Sequence, residues 1–134
     1  VFRCLMAWEM LAPAGIRIIR FGLQTTPEMN SEGAVLAGPL HPAFGSLVYS
    51  GVFYASTLKL LTGIPRETEE LHFFVDKRDL SSFRGHQNRN IEAIKKLYPQ
   101  ARLVIDSDPS GFSGRISLAT DTGKKVSLDI PGIL

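Results

Sequence analysis

Pro39 and Pro42, three positions apart, set the firmest limit on how this chain can fold. Each lacks a backbone N–H and fixes its own φ, so the pair fits neither an ordinary helix interior nor a central strand. The stretch Ala37–Gly45 therefore reads as a rigid turn. Pro42 suits the first position of a new helix, where its missing N–H costs nothing. His41 stands between two fixed φ angles, and its ring is expected to point in a defined direction. That makes His41 a candidate for contacting a ligand; its plain alternative is a satisfied turn residue.

Before the turn, Phe2, Leu5, Met6, Glu9 and Met10 recur at helical spacing, which predicts a helix over Phe2 to Ala12 with this set on one face. Pro13-Ala14-Gly15 stops it. Ile16 to Leu23 is β-rich and almost continuously apolar, as a strand buried on both faces would be. Arg17 and Arg20 interrupt that run; they are expected to snorkel to water or to pair with Glu. A helix, a glycine turn and a buried strand make one αβ unit. Such a unit needs neighbouring strands, and the chain starts without Met, so a larger parent protein is expected. After the turn, a long helix is expected from Pro42 to about Leu61, with Phe44, Leu47, Val48, Gly51, Ala55 and Leu58 as its main stripe. Its remaining apolar residues predict burial on more than one side.

The pattern changes at Glu70. Leu71 to Val75 reads as a strand, and Leu80 to Arg84 as a short helix capped by Asp79. Gly85 to Asn88 is a turn. A second helix follows, capped by Asn88 or Asn90, with Ile91, Ile94, Leu97 and Tyr98 on one face. Glu92 and Lys96 are placed to pair one turn apart. Arg102 to Ile105 is a strand. Arg115–Thr120 and Lys125–Ile130 alternate with period 2 around Asp121-Thr122-Gly123 and predict a hairpin. Leu71–Val75 and Arg102–Ile105 are expected in one sheet. His72, on an apolar strand, reads as a satisfied core residue.

Several classes of function are excluded or weakened. One cysteine, Cys4, permits no internal disulfide and no multi-cysteine metal site. The three histidines are too scattered to mark a metal site by spacing. Ala34 to Leu58 carries no Asp, Glu, Lys or Arg, but two prolines and three glycines break it, so no membrane span is expected. Glu9 interrupts the only stretch resembling a leader. A cytoplasmic location is the expectation.

Two resemblances surface on these residues. Gly15 to Gln24, followed by Ala37 to Gly45, resembles the C-terminal part of elongator-type radical SAM proteins, often labelled oxygen-independent coproporphyrinogen III oxidases. The likeness covers roughly residues 5–60. It implies that residues 1–62 are the end of a catalytic barrel plus a connecting helix. It also implies a parent enzyme with a 4Fe–4S cluster and S-adenosylmethionine, and places Arg17, Arg20 and His41 near substrate. The family's Cys-x3-Cys-x2-Cys motif is absent here, so this chain by itself is expected to turn over no S-adenosylmethionine.

The second resemblance covers about residues 70–107 and is carried by Val75 to Ile91; it is to a KH module, which clamps single-stranded nucleic acid on a G-x-x-G loop between two helices. Asn88 replaces the second glycine. The likeness implies nucleic-acid contacts from Arg84, Gly85, His86, Asn88, Arg89, Asn90 and Lys95. Charge agrees: from Lys77 to Arg102 there are seven Lys and Arg against Asp79 and Glu92, a net +5 in a chain of +2. The plain alternative is a solvated helix face beside a tight turn.

The expected fold is α+β: the N-terminal αβ unit and long helix, then a small KH-like mixed or antiparallel sheet with two helices over residues 63–134. The expected role is that of a non-catalytic accessory domain of a radical SAM Fe–S oxidoreductase, covering the barrel and helping to bind substrate, RNA or a tetrapyrrole. The other reading is a stand-alone binding module. Self-association through the N-terminal surface is expected, burying Ile18, Phe21, Phe53 or Tyr54 against a second copy.

Overall fold

Four segments from Glu70 onward assemble into one sheet, covered on one side by helices. The computed structural model describes residues 1–22, 26–34, 41 and 43–132. Strands β1 (Glu70–Val75), β2 (Arg102–Ser107), β3 (Arg115–Thr120) and β4 (Lys125–Asp129) lie in the order β2-β1-β3-β4. β1 runs parallel to β2, with Leu71 opposite Leu103, and antiparallel to β3. β3 and β4 form the expected hairpin. A parallel pair needs a crossover. Helices α3 (Leu80–Arg84) and α4 (Arg89–Leu97) supply it.

Period 2 decides which face is buried. Leu71, Phe73, Val75, Ile116 and Leu118 point inward and are buried. They share one core with Phe83 of α3, with Ile91 and Ile94 of α4, and with Tyr98. Phe73 and Phe83 meet with ring centroids 5.2 Å apart.

Helices α1 (Phe2–Leu11) and α2 (Phe44–Leu61) complete the layer. α2 buries Val48, Val52, Phe53, Ser56, Thr57, Leu60 and Leu61, while Leu58 is exposed. Burial on several sides was expected; of the expected stripe, Val48 is buried and Leu58 is not. α2 lies against α1, α3 and β4 at once, so its buried arc is broad. In α1 the expected set is divided, with Leu5 packed against the core. Phe2, Met6 and Met10 are exposed, and Trp8 is the buried anchor. The Trp8 indole N–H donates to the Pro131 carbonyl at 3.0 Å, joining the two ends of the chain. A polar-tipped aromatic that can both bury its ring and satisfy its N–H outcompetes unbranched methionines for the inward position.

The strand expected over Ile16–Leu23 is corrected. Residues 16–22 form no strand and end in a bend at Phe21 and Gly22, Leu23 lies outside the described residues, and Ile19 is 88 % exposed. An apolar run becomes a strand only where another strand offers its hydrogen-bonding edge, and nothing among the described residues pairs with this one. Ile18 and Phe21 still turn toward the core, and the Phe21 ring stands edge-on to Tyr49 at 5.3 Å. Phe53 is buried within its own chain and is therefore not free to meet a second copy. Pro39, Pro42 and the rest of Ala37–Leu40 lie outside the described residues. No helix among the described residues is long and apolar enough to cross a membrane.

Candidate nucleic-acid interface

The turn between α3 and α4 is built by three unusual backbone conformations in succession. Gly85 has φ 76° and ψ 166°, a region that side chains other than hydrogen essentially forbid. Gln87 and Asn88 then both adopt left-handed φ values of 53° and 59°. Each left-handed non-glycine residue costs about 1–2 kcal/mol. The Asn88 N–H donates to the Gly85 carbonyl at 3.1 Å and closes the turn. Asn88 stands at the start of α4, but its side chain makes no capping bond.

Asn90 holds this geometry in place. Its amide nitrogen lies 2.9 Å from the Ser50 carbonyl, 3.2 Å from that of Ser82 and 3.1 Å from that of Phe83. One side chain thus ties the first turn of α4 to the end of α3 and to α2. Asn90 was expected to contact nucleic acid; its donor nitrogen is committed to the scaffold instead. Gly85 is equally constrained, because a Cβ there would fall 2.7 Å from the Asn90 Cγ.

The groups left facing water are Arg84, His86, Gln87, Asn88 and Arg89, all exposed. Neither Arg84 nor Arg89 has a carboxylate partner among the described residues. Lys95 is paired with Glu92 at 3.2 Å, one position closer than the Glu92–Lys96 pair that was expected. Arg78 is committed to Asp76 and to the Gly111 carbonyl. The basic patch therefore reduces, around the turn, to two free guanidinium groups and a kinked backbone. That set can hold a phosphate; it contains no nucleophile with a base.

The other candidates lie elsewhere. Arg17 and Arg20 are exposed on the segment after α1. His41 is exposed, and its Nδ1 accepts the Ala43 N–H at 3.1 Å, a local contact at the entrance to α2. No hydrogen bond or ion pair among the described residues joins these three to the turn. Asp79 precedes α3 as expected but does not cap it. Its carboxylate accepts the Gly114 N–H at 2.7 Å and the Ser113 hydroxyl at 3.0 Å, pinning the loop before β3. Nor is His72 a core residue: it lies on the uncovered face of the sheet, 2.7 Å from the Asp106 carboxylate. Strand alternation with Leu71 and Phe73 carries the signal for that outward position.

A 4Fe–4S cluster does not fit this chain, because the sequence offers one thiol, the half-buried Cys4, where three are needed. Comparison with protein-family models, with curated proteins and with solved structures finds no match for this chain.

Proposed function

We propose that this chain is a non-catalytic accessory module that holds single-stranded RNA on the Gly85–Asn88 turn, in the service of a radical SAM Fe–S oxidoreductase. The observation that carries the RNA reading is the exposed, left-handed turn between two helices, flanked by the unpaired Arg84 and Arg89. Phosphates are drawn to such a pair of guanidinium groups by charge and by bidentate hydrogen bonding. The connection to a radical SAM parent rests on the likeness of Gly15–Gln24 and Ala37–Gly45 alone. A Cys-x3-Cys-x2-Cys motif in the protein preceding Val1 supports it; a parent sequence without one removes it.

The RNA reading is tested by titrating labelled single-stranded RNA at low and moderate salt. Binding should weaken as salt rises, because phosphate contacts release counterions. The variant Arg84→Glu/Arg89→Glu should bind at least about tenfold more weakly at low salt, since two phosphate contacts become repulsions. Equal binding by wild type and variant overturns the reading. Gly85 is unsuitable for this test, because any side chain there collides with Asn90 and disturbs the fold.

A further inference from the structure

The face of the sheet opposite the helices carries a hollow of about 520 Å³ lined by side chains of Phe74, Ser117, Ala119, Lys125 and Ser127, with Leu118 and Val126 between them in the strands. We infer that this hollow is a binding site for one nucleotide unit, its base against Phe74 and its phosphate at Lys125. The register places the parts. Phe74 stands directly opposite Ser117, and Ser117 opposite Ser127, so one row across three strands reads aromatic, hydroxyl, hydroxyl. The next row reads His72, Ala119, Lys125. Residues directly opposite one another share a face.

Each group has a reason to serve a flat ring that carries a phosphate. Phe74 is half-buried, and its ring is already stacked on His72, 4.2 Å between centroids and 25° between planes. His72 is in turn fixed by Asp106. The aromatic wall is therefore held before any ligand arrives, which lowers the cost of ordering it. Serine and alanine make a floor low enough to admit a ring beside that wall. The Ser117 and Ser127 hydroxyls have no hydrogen-bond partner among the described residues and can meet the polar edge of a base. Lys125 is exposed and without a carboxylate partner among the described residues. Aromatic stacking with a cation alongside is how sheet surfaces hold bases without demanding a sequence. The volume lies within the range of roughly 300–1,000 Å³ usual for small-molecule sites. Asp106 and Asp129 also lie on this face, each held by a partner there, His72 and Arg115, which leaves Lys125 as the cation beside the hollow that has no carboxylate partner among the described residues. The inference is independent of the 85–88 turn, which belongs to the helix layer.

Backbone amide NMR shifts of the whole chain test it, with uridine 5′-monophosphate, a short oligouridylate and inorganic phosphate as separate probes. Both nucleotide probes should move the amides of Ser117, Ala119, Lys125 and Ser127, and phosphate alone should not reproduce the pattern. A strand that binds more tightly than the free nucleotide assigns the site to RNA; equal affinity assigns it to free nucleotides. Phe74→Leu, which keeps bulk and removes the ring, should weaken binding about tenfold. Ser117→Leu, on an outer position that leaves the core untouched, should block the hollow and abolish the shifts. Arg84→Glu/Arg89→Glu should leave them unchanged, so loss of the turn reading and loss of this one are told apart. The inference is overturned by an absence of shifts at millimolar nucleotide or by full binding in Ser117→Leu. Shifts that follow protein concentration instead of nucleotide also overturn it, since they identify a second copy as the occupant.

Discussion

Gly85 and Asn90 claim the same space: a Cβ on Gly85 would lie 2.7 Å from the Asn90 Cγ and 2.8 Å from its Oδ1. Close approach lets the Asn90 amide reach three carbonyls at once, and only a residue without a Cβ allows it. Gly85→Ala should therefore destabilise the chain by about 1–3 kcal/mol from backbone conformation alone, with the collision in addition. Asn90→Ala should cost about 1–3 kcal/mol by leaving buried carbonyls short of a donor. The double variant should cost less than the two single costs combined, because removing the amide removes the collision. Chemical denaturation of the four proteins checks this; strict additivity would show that the two residues do not compete.

Asp79 should behave as a loop anchor and not as a helix cap. It is 8 % exposed and accepts from Ser113 and from the buried Gly114 N–H. Asp79→Ala should lower stability by about 2 kcal/mol, since hydrogen bonds to a charged acceptor are the stronger kind. Asp79→Asn, which keeps one oxygen for the Gly114 N–H, should cost less. If the loop and not α3 depends on it, amide exchange should quicken around 111–115 before it quickens in α3. The reverse order would restore the capping role.

The sheet was legible because its signals are local. Alternation marked β3 and β4, and the Asp121-Thr122-Gly123 turn joined them. α4 was legible because Ile91, Ile94 and Tyr98 fall on one helical face and are buried there. The N-terminal part was less legible. Helical spacing in α1 marked a helix, but several faces carried apolar residues, and spacing alone does not say which one has a partner. Ile16–Gly22 has the composition of a strand, yet strand formation depends on a neighbour that composition does not reveal. At the candidate site the turn was legible from Gly85 and the two asparagines. The roles within it were not. Asn90 looks like an exposed cap in the sequence, and the carbonyls of Ser82 and Phe83 at the end of α3, with that of Ser50 forty residues earlier, turn its amide inward.

Acid should weaken the chain partly through Asp76. Hydrogen bonds from the Arg78 side chain, at 2.8 Å and 3.3 Å, and then from the Arg78 backbone N–H, hold the Asp76 carboxyl below its ordinary range. A carboxyl lowered on folding stabilises the native state fully above its unfolded value. That contribution fades as pH falls through the lowered folded value. Asp129 adds to the same limb through its hydrogen bonds with Arg115. Thermal midpoints measured from neutral pH downward should fall less steeply in Asp76→Asn than in wild type. An unchanged slope would remove Asp76 from the acid response.

Alkali should weaken the chain through Tyr98. Burial raises the Tyr98 phenol above its ordinary value, against a smaller opposing effect of the nearby Arg66 charge. The neutral hydroxyl sits 2.9 Å from the Ile64 carbonyl and 3.2 Å from the Leu61 carbonyl, so it serves as the donor where α2 ends. Ionisation would remove that donor and set a negative charge against two carbonyl oxygens. A phenol raised on folding contributes stability that is complete below its unfolded value, about 10. The contribution is lost as pH rises through the higher folded value. Tyr98→Phe keeps the ring in the core and should cost about 1 kcal/mol at neutral pH for the lost hydrogen bonding. It should also flatten the decline in stability above about pH 10. Denaturant midpoints for both proteins between neutral pH and strong alkali check this, with ultraviolet titration of the phenols alongside. Parallel declines in the two proteins would assign the alkaline limb to groups other than Tyr98.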